Sequence, residues 1–288
     1  MAARQRIKRM LHRHAIEGSL RPLAAKVYDA VVAQEVMFER VLDAFAPLPT
    51  IDDPLLQELT AVIKTFERPK VVRRLVESIT RRYPSLRIIV VDDSRKPVRL
   101  DGADTLTMPY DSGIAAGRNA GLQHVVTRYA LILDDDYVFS RHTLLGPALA
   151  LMEEYAEIDI MGGQLVELPY YGVRPLSEAA GRIFATVATP RIPLGSSIGG
   201  LSVCEKVPTF FIGRRDRLAL VGWDPSLKRI DHGDFFTRAQ GVLTTVFNPA
   251  LRCFHARTPF DDHYMAKRMD LADSRRILEE RYGGRGES

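Results

Sequence analysis

Three carboxylates in a row, Asp134-Asp135-Asp136, follow the apolar run from Tyr129 to Leu133. Adjacent like charges repel, and a fold holds them most readily when a cation neutralises them. A hard divalent ion, Mn²⁺ or Mg²⁺, matches oxygen ligands and usually shares its coordination with substrate phosphates. The competing reading is a solvated acidic turn, or the N-terminus of a helix begun near Ser140. A second acidic pair, Asp92-Asp93, follows Val91. It could accept hydrogen bonds from a base N–H or from ribose hydroxyls, and a cap involving Ser94 would explain it as well. Between the two clusters runs Gly113-Ile114-Ala115-Ala116-Gly117-Arg118-Asn119-Ala120-Gly121. Its backbone N–H groups and Arg118 suit phosphate, while close packing of a helix on a sheet is the alternative.

The elements that must position these groups alternate. Leu59 to Ile63 reads as a buried strand, Pro69 to Arg82 as a helix with proline in its first turn, and Leu86 to Val91 as the next strand. Thr105 to Met108 reads as a short strand, Gly113 to Val126 as a helix and Tyr129 to Leu133 as a third apolar strand. Short all-apolar strands joined by helices predict a mostly parallel sheet covered on both faces. Both acidic clusters then lie at carboxyl ends of strands, where open α/β sheets bind ligands. Upstream, Leu20 to Phe45 has apolar positions at helical spacing and is stopped by Pro47 and Pro49. The chain past Met152 is rich in loops, and a last amphipathic helix is predicted from Tyr264 to Tyr282, before a polar end at Gly283 to Ser288.

The 288 residues, 46% hydrophobic, suffice for one large α/β domain with additions. We divide them into an N-terminal helical arm (1–55), a main domain (56–268) and a C-terminal helix and tail (269–288). The main domain has a first half (56–150) that carries both acidic clusters and a loop-rich second half (151–268). Charge is nearly balanced, 40 Lys and Arg against 36 Asp and Glu, but the first 26 residues are one-sided. There Arg4, Arg6, Lys8, Arg9, Arg13, Arg21 and Lys26 face only Glu17. That suits peripheral contact with an anionic membrane surface or an acidic partner, and a solvated helix face accounts for it equally. No window resembles a membrane span or a signal peptide, so the expected location is the cytoplasm. Cys204 and Cys253 have neither disulfide-framework nor zinc-site spacing and read as packing residues.

The succession Lys64-Thr65-Phe66-Glu67-Arg68, Asp92-Asp93-Ser94, Ala116-Gly117-Arg118-Asn119 and Leu133-Asp134-Asp135-Asp136-Tyr137-Val138-Phe139 resembles inverting GT-A glycosyltransferases of the family 2 type. More closely it resembles β-1,4-N-acetylgalactosaminyltransferases that build GM2-type glycans. The likeness continues through Phe210-Phe211, Gly222-Trp223-Asp224-Pro225, His232-Gly233-Asp234-Phe235-Phe236 and Phe254-His255-Ala256. The ordered set is specific although each motif alone is not.

The resemblance implies a GT-A α/β fold and places Thr65, Arg68, Asp92 and Asp93 at the nucleotide, with Arg118 and Asn119 near the donor. Asp134 would contact ribose or metal, Asp135 would support it, and Asp136 would be the principal metal ligand. His255 would be a further ligand, with a packed histidine as the alternative. An inverting transfer needs a base for the acceptor hydroxyl. Asp234 is favoured, with His232 second and Asp231 beside them; helix caps at Asp231 or Asp234 are the alternative. Trp223 would form either a floor for a sugar ring or a buried aromatic contact. The implied reaction moves GalNAc or another hexose from a UDP-sugar to a carbohydrate or lipid-linked acceptor, without nucleic acid. A nucleotidyltransferase and an inactive carbohydrate-binding relative are the other readings. The first lacks a glycine-rich basic loop after the first strand, and the intact acidic clusters argue against the second. Acceptor contacts are expected from the loops between Leu168 and Pro208.

Overall fold

The computed structural model describes residues 18, 20–45, 54–181 and 183–283. The basic residues Arg4 to Arg13, the prolines Pro47 and Pro49, and the end beyond Gly283 lie outside them. Helix α1 (Arg21–Phe45) is followed by a 3-10 turn and β1 (Leu59–Thr65). Then come α2 (Pro69–Arg82), β2 (Arg87–Asp92), β3 (Asp104–Thr107), α3 (Ile114–His124), β4 (Tyr129–Asp134) and the short β5 (Tyr137–Val138). The second half holds α4 (Leu145–Glu154), β6 (Ile160–Glu167), β7 (Gly172–Val173), α5 (Leu176–Ala179), β8 (Ser197–Ile198), β9 (Leu201–Val203) and β10 (Phe211–Arg214). It continues with α6 (Arg215–Val221), α7 (Asp231–Ala239), β11 (Thr245–His255), α8 (Asp262–Arg268) and α9 (Ala272–Tyr282).

One sheet runs through the molecule in the order β3-β2-β1-β4-β10-β6-β11-β9-β8. The first four strands are parallel, as are β6 and β11, while β10 lies antiparallel between β4 and β6. This is the α/β arrangement that the GT-A resemblance implies. Alternate residues explain why the strands are apolar throughout. Leu59, Ala61 and Ile63 of β1 face one core and Val62 faces the other, and β4 divides Leu131 and Leu133 from Ala130 and Ile132 in the same way. Helix α2 starts with Pro69 in its first turn, where no N–H is needed, and buries Val72, Leu75, Val76 and Ile79 at the i, i+3, i+4, i+7 spacing of one face.

Two parts differ from expectation. No helix begins near Ser140: β4 ends at Asp134, the chain turns, and β5 follows, so Asp135 and Asp136 are buried rather than solvated. The last helix is two helices. At the break Arg229 donates its Nε–H to the Lys267 carbonyl at 3.0 Å, and its backbone N–H meets Ser274 Oγ in the first turn of α9. Cys253 lies in the core and Cys204 is partly buried, and both are free thiols.

Candidate functional site

Register brings the motifs together before any side chain is considered. Thr65 pairs with Asp92 across β1–β2 and Lys64 pairs with Asp134 across β1–β4, so three motif segments end side by side. A cavity of about 370 Å³ opens at these ends. Its walls include Thr65, Arg68, Asp93, Arg118 and the whole acidic triplet, together with Asp231, His232 and His255 from the second half.

The triplet divides by burial. Asp134 has a side chain 39% exposed, whereas Asp135 and Asp136 are nearly inaccessible. Arg68 explains how two adjacent carboxylates can be buried. Its guanidinium ion-pairs with Asp135 and reaches Asp136 Oδ2 at 3.3 Å, and Thr65 Oγ1 donates to Asp135 Oδ2 at 2.7 Å. The Tyr264 ring lies 3.6 Å from the Arg68 carbon, closing the far side of the cation. Burial pushes Asp135 above the ordinary carboxylate range against the pull of Arg68. At Asp136 burial acts the same way, but His255 and Arg68 outweigh it and hold this carboxyl well below that range.

On the other wall Arg118 is a bridge. Its two terminal nitrogens donate to Asp134 Oδ1 at 2.8 Å and to Asp231 Oδ2 at 2.7 Å, joining the first half of the chain to the second. Asp231 opens α7, directly after Ile230, whose φ of 53° is strained for a β-branched residue. That left-handed step turns the carboxyl into the cavity. Burial raises the proton affinity of Asp231 despite Arg118, and Asp134 adds to the effect. His232 Nε2 lies 2.7 Å from the Val207 carbonyl; because a carbonyl only accepts, Nε2 carries the proton and Nδ1 is left as the acceptor. Burial, with Lys206 and Arg118, keeps this imidazole neutral far below its usual range.

Asp136 and Asp134 are the donors that a hard cation would find. His255 stands beside them, but although burial opposes it, Asp136 and Glu167 push its imidazole up to about 9, so it would act as a ligand only after giving up that proton. His255 Nε2 lies 3.4 Å from Asp136 Oδ1, and its Nδ1 lies 3.2 Å from Glu167 Oε1, a carboxylate partner that orients the ring. Among the described residues no three acidic, histidine or cysteine groups enclose a metal by themselves. One or two carboxylates and an imidazole fit Mn²⁺ or Mg²⁺ when a diphosphate and water complete the shell.

Several expected residues serve elsewhere. Asp92 uses both oxygens on the Ser94 and Val98 amides and so shapes its loop. Asn119 clamps the Trp223 backbone through both ends of its amide, at 2.6 and 2.8 Å, away from the cavity. Trp223 is buried against Phe235 with ring centroids 4.7 Å apart, which answers the choice between sugar floor and packed aromatic in favour of packing. Asp234, favoured as the base, is fully buried outside the cavity and is bound by Arg238 at 2.7 Å, Arg281 at 2.6 Å and Tyr282 at 2.8 Å. The glycine run is a packing device. A Cβ on Gly117 would fall 2.2 Å from Lys64 Cδ, and one on Gly121 would fall 2.4 Å from Val62 Cγ1. Gly113 alone turns an amide toward the site, donating to Asp93 Oδ2 at 2.9 Å.

The cavity also contains cations to which the motifs assigned no role. Lys64 pairs with Asp93, and Arg229 pairs with Asp111 at 2.9 Å. Lys267 and Arg268 line it from α8; Arg268 donates to the Tyr264 hydroxyl at 3.3 Å and feels Asp136 and Asp134, and Lys267 feels Asp111. Sequence gave no signal for them, because two basic residues at the end of an amphipathic helix read as a solvated face.

The sequence profile of glycosyl transferase family 2 matches residues 60–219. The mouse (Mus musculus) protein "Beta-1,4 N-acetylgalactosaminyltransferase 2" is 34% identical over 72% of the chain, which spans only 41% of that protein's length. Among solved structures, S. aureus TarS 1-349 superposes with a TM-score of 0.52 at 17% identity, covering 68% of this chain and 59% of that one. GalNAc-T7, solved with UDP, GalNAc and Mn²⁺, gives a TM-score of 0.52 at 16% identity, over 68% of this chain and 42% of its own. These two likenesses concern the fold.

Proposed function

Because the chain belongs to glycosyl transferase family 2, we propose that it moves a sugar, GalNAc or another hexose, from a UDP-sugar to a hydroxyl of a glycan or lipid-linked acceptor. The GalNAc reading is suggested by the name of the mouse relative. The reaction is a single displacement with inversion. The observation that carries it is the Arg118 bridge, which ties the partly exposed Asp134 on the nucleotide side to Asp231 on the opposite wall. One side chain thereby fixes the distance between a donor-binding carboxylate and a base.

In this reading Thr65, Arg68 and Asp93 shape the nucleotide end and Asp134 meets the ribose or its diphosphate. Asp135 acts through Arg68 and Thr65 as a support. Asp134, Asp136 and His255 would hold Mn²⁺ or Mg²⁺, which when bound offsets charge on the departing nucleoside diphosphate. Lys267 and Arg268 face the same charge from α8. Asp231 takes the acceptor proton. It is preferred to His232 because Arg118 fixes its carboxyl opposite Asp134, and burial raises its proton affinity from the ordinary carboxylate value.

The test is release of nucleoside diphosphate from a panel of nucleotide sugars with Mn²⁺, with and without acceptors, for the wild type and for Asp231→Asn. The expected result is UDP release by the wild type, and an Asp231→Asn variant that binds donor normally while transfer falls at least about a hundredfold. Full transfer by Asp231→Asn would sink the assignment of the base. Release of pyrophosphate in place of UDP would favour the nucleotidyltransferase.

A further inference from the structure

Helix α1 is apolar on two opposite sides. Tyr28, Val32 and Val36 pack inward on Val138, Val166, Leu168 and Phe254. Nine residues, about two and a half turns, separate Val36 from Val27 and Val32 from Val41, so those two valines point directly away from the body. With Leu23, Met37, Phe38 and Phe45 they form an outward stripe in which each side chain is 36–86% exposed. No acid falls on this arc between Leu23 and Val41. A solvated helix would carry charges there, and one that merely packs on the domain would need only its inner face.

We propose that this outward face of α1 seats the protein on an anionic lipid surface. The charge pattern selects this occupant. The stripe follows a stretch of sequence in which Arg4, Arg6, Lys8, Arg9 and Arg13 are accompanied by the single acid Glu17. Anionic headgroups neutralise such a stretch, whereas two copies of the helix paired in parallel would set it against itself. Leucine, valine, methionine and phenylalanine on one face, with Lys26 beside them and a basic stretch of sequence before them, suit a helix lying in the headgroup plane. No helix among the described residues is long and apolar enough to cross a membrane. The anchor is joined to the cavity wall: Arg21 ion-pairs with Asp262 at the start of α8, and the Tyr28 and Phe260 rings meet edge to face at 5.5 Å. This surface is independent of the transfer reading.

The experiment sediments the full chain with phosphatidylcholine vesicles and with vesicles that also contain phosphatidylglycerol, at low and high salt. The comparison is with Val27→Glu/Phe38→Glu, at positions 54% and 53% exposed, and with the milder Phe38→Ser. The wild type is expected to sediment with the anionic vesicles and to be released by salt. The double variant, with an unchanged circular dichroism spectrum, should bind at least about tenfold more weakly, with Phe38→Ser between the two. Wild-type protein that stays in the supernatant with anionic vesicles, or a folded double variant that binds equally, overturns the proposal. So does light scattering that shows a dimer which the double variant converts to monomer, since a second copy would then cover the stripe.

Discussion

Asp136 and Asp135 are neighbours in sequence with opposite tendencies, and the difference lies in what surrounds each. Asp136 keeps its charge because His255 and Arg68 flank it, so it is the oxygen donor available to a cation. Replacing it as Asp136→Asn is expected to reduce metal-dependent turnover by about a hundredfold or more while the fold persists. Turnover and Mn²⁺ binding measured on the same folded variant check this, and normal values of both would remove Asp136 from the metal site. His232 gives a stability prediction. Its ring is held neutral in the folded protein, whereas an unfolded histidine takes a proton near pH 6.5. A depressed folded pKa contributes stability that is complete above the unfolded value and is lost as pH falls below it. Melting temperature should therefore decline on acidification below about pH 6.5, and His232→Gln should flatten that decline. A His232→Gln profile parallel to the wild type would show that the imidazole titrates normally.

Elements set which of these residues can meet. The strands β1, β2 and β4 were readable because burial on both faces leaves an uninterrupted apolar run, and the acidic residues at their ends were readable because the runs stop there. The arrangement across the cavity was not. Asp231 and Asp234 are three residues apart on α7, nearly one turn, yet one enters the cavity and the other faces α9. That choice depends on the left-handed Ile230, and an isoleucine in a sequence does not announce a positive φ. Helix α8 was equally hidden, because the contact Arg229 makes at its end, which leaves Lys267 and Arg268 at the cavity, joins residues distant in sequence. These two cations give the prediction of this scale. Arg268→Ala should raise the KM for the nucleotide sugar about tenfold, the size of one hydrogen bond to a charged group. Its kcat should change less if the contact is made in the bound donor as well as in the transition state. Initial rates over a range of donor concentrations measure both, and an unchanged KM would place Arg268 outside the donor site.

At the scale of the whole molecule, the C-terminal helix is fastened to the rest of the protein around a buried carboxylate, Asp234. Asp234 accepts from Arg238 on its own helix, and from Arg281 and Tyr282 on α9. Arg281 also ion-pairs with Asp224, and Phe184 stacks on Tyr282 with centroids 5.5 Å apart. Asp234 is fully removed from solvent, accepts three bonds and lies outside the cavity, so an acceptor hydroxyl bound there does not reach it. Its place in the motif reflects assembly of the fold. Asp234→Asn leaves the shape and removes the charge, so Arg238 and Arg281 lose their common partner. Breaking such a buried pair costs about 3 kcal/mol, which for a domain of this size lowers the melting temperature by roughly 5–10 °C. Transfer per folded molecule, assayed well below the new melting temperature, should stay within about twofold of wild type, because the Asp231–Arg118–Asp134 bridge is untouched. Thermal melts and transfer assays on Asp231→Asn and Asp234→Asn therefore form a crossed pair: the first loses chemistry, the second loses stability. An Asp234→Asn variant that melts like the wild type but does not transfer sugar would reverse the assignment and return the base to Asp234.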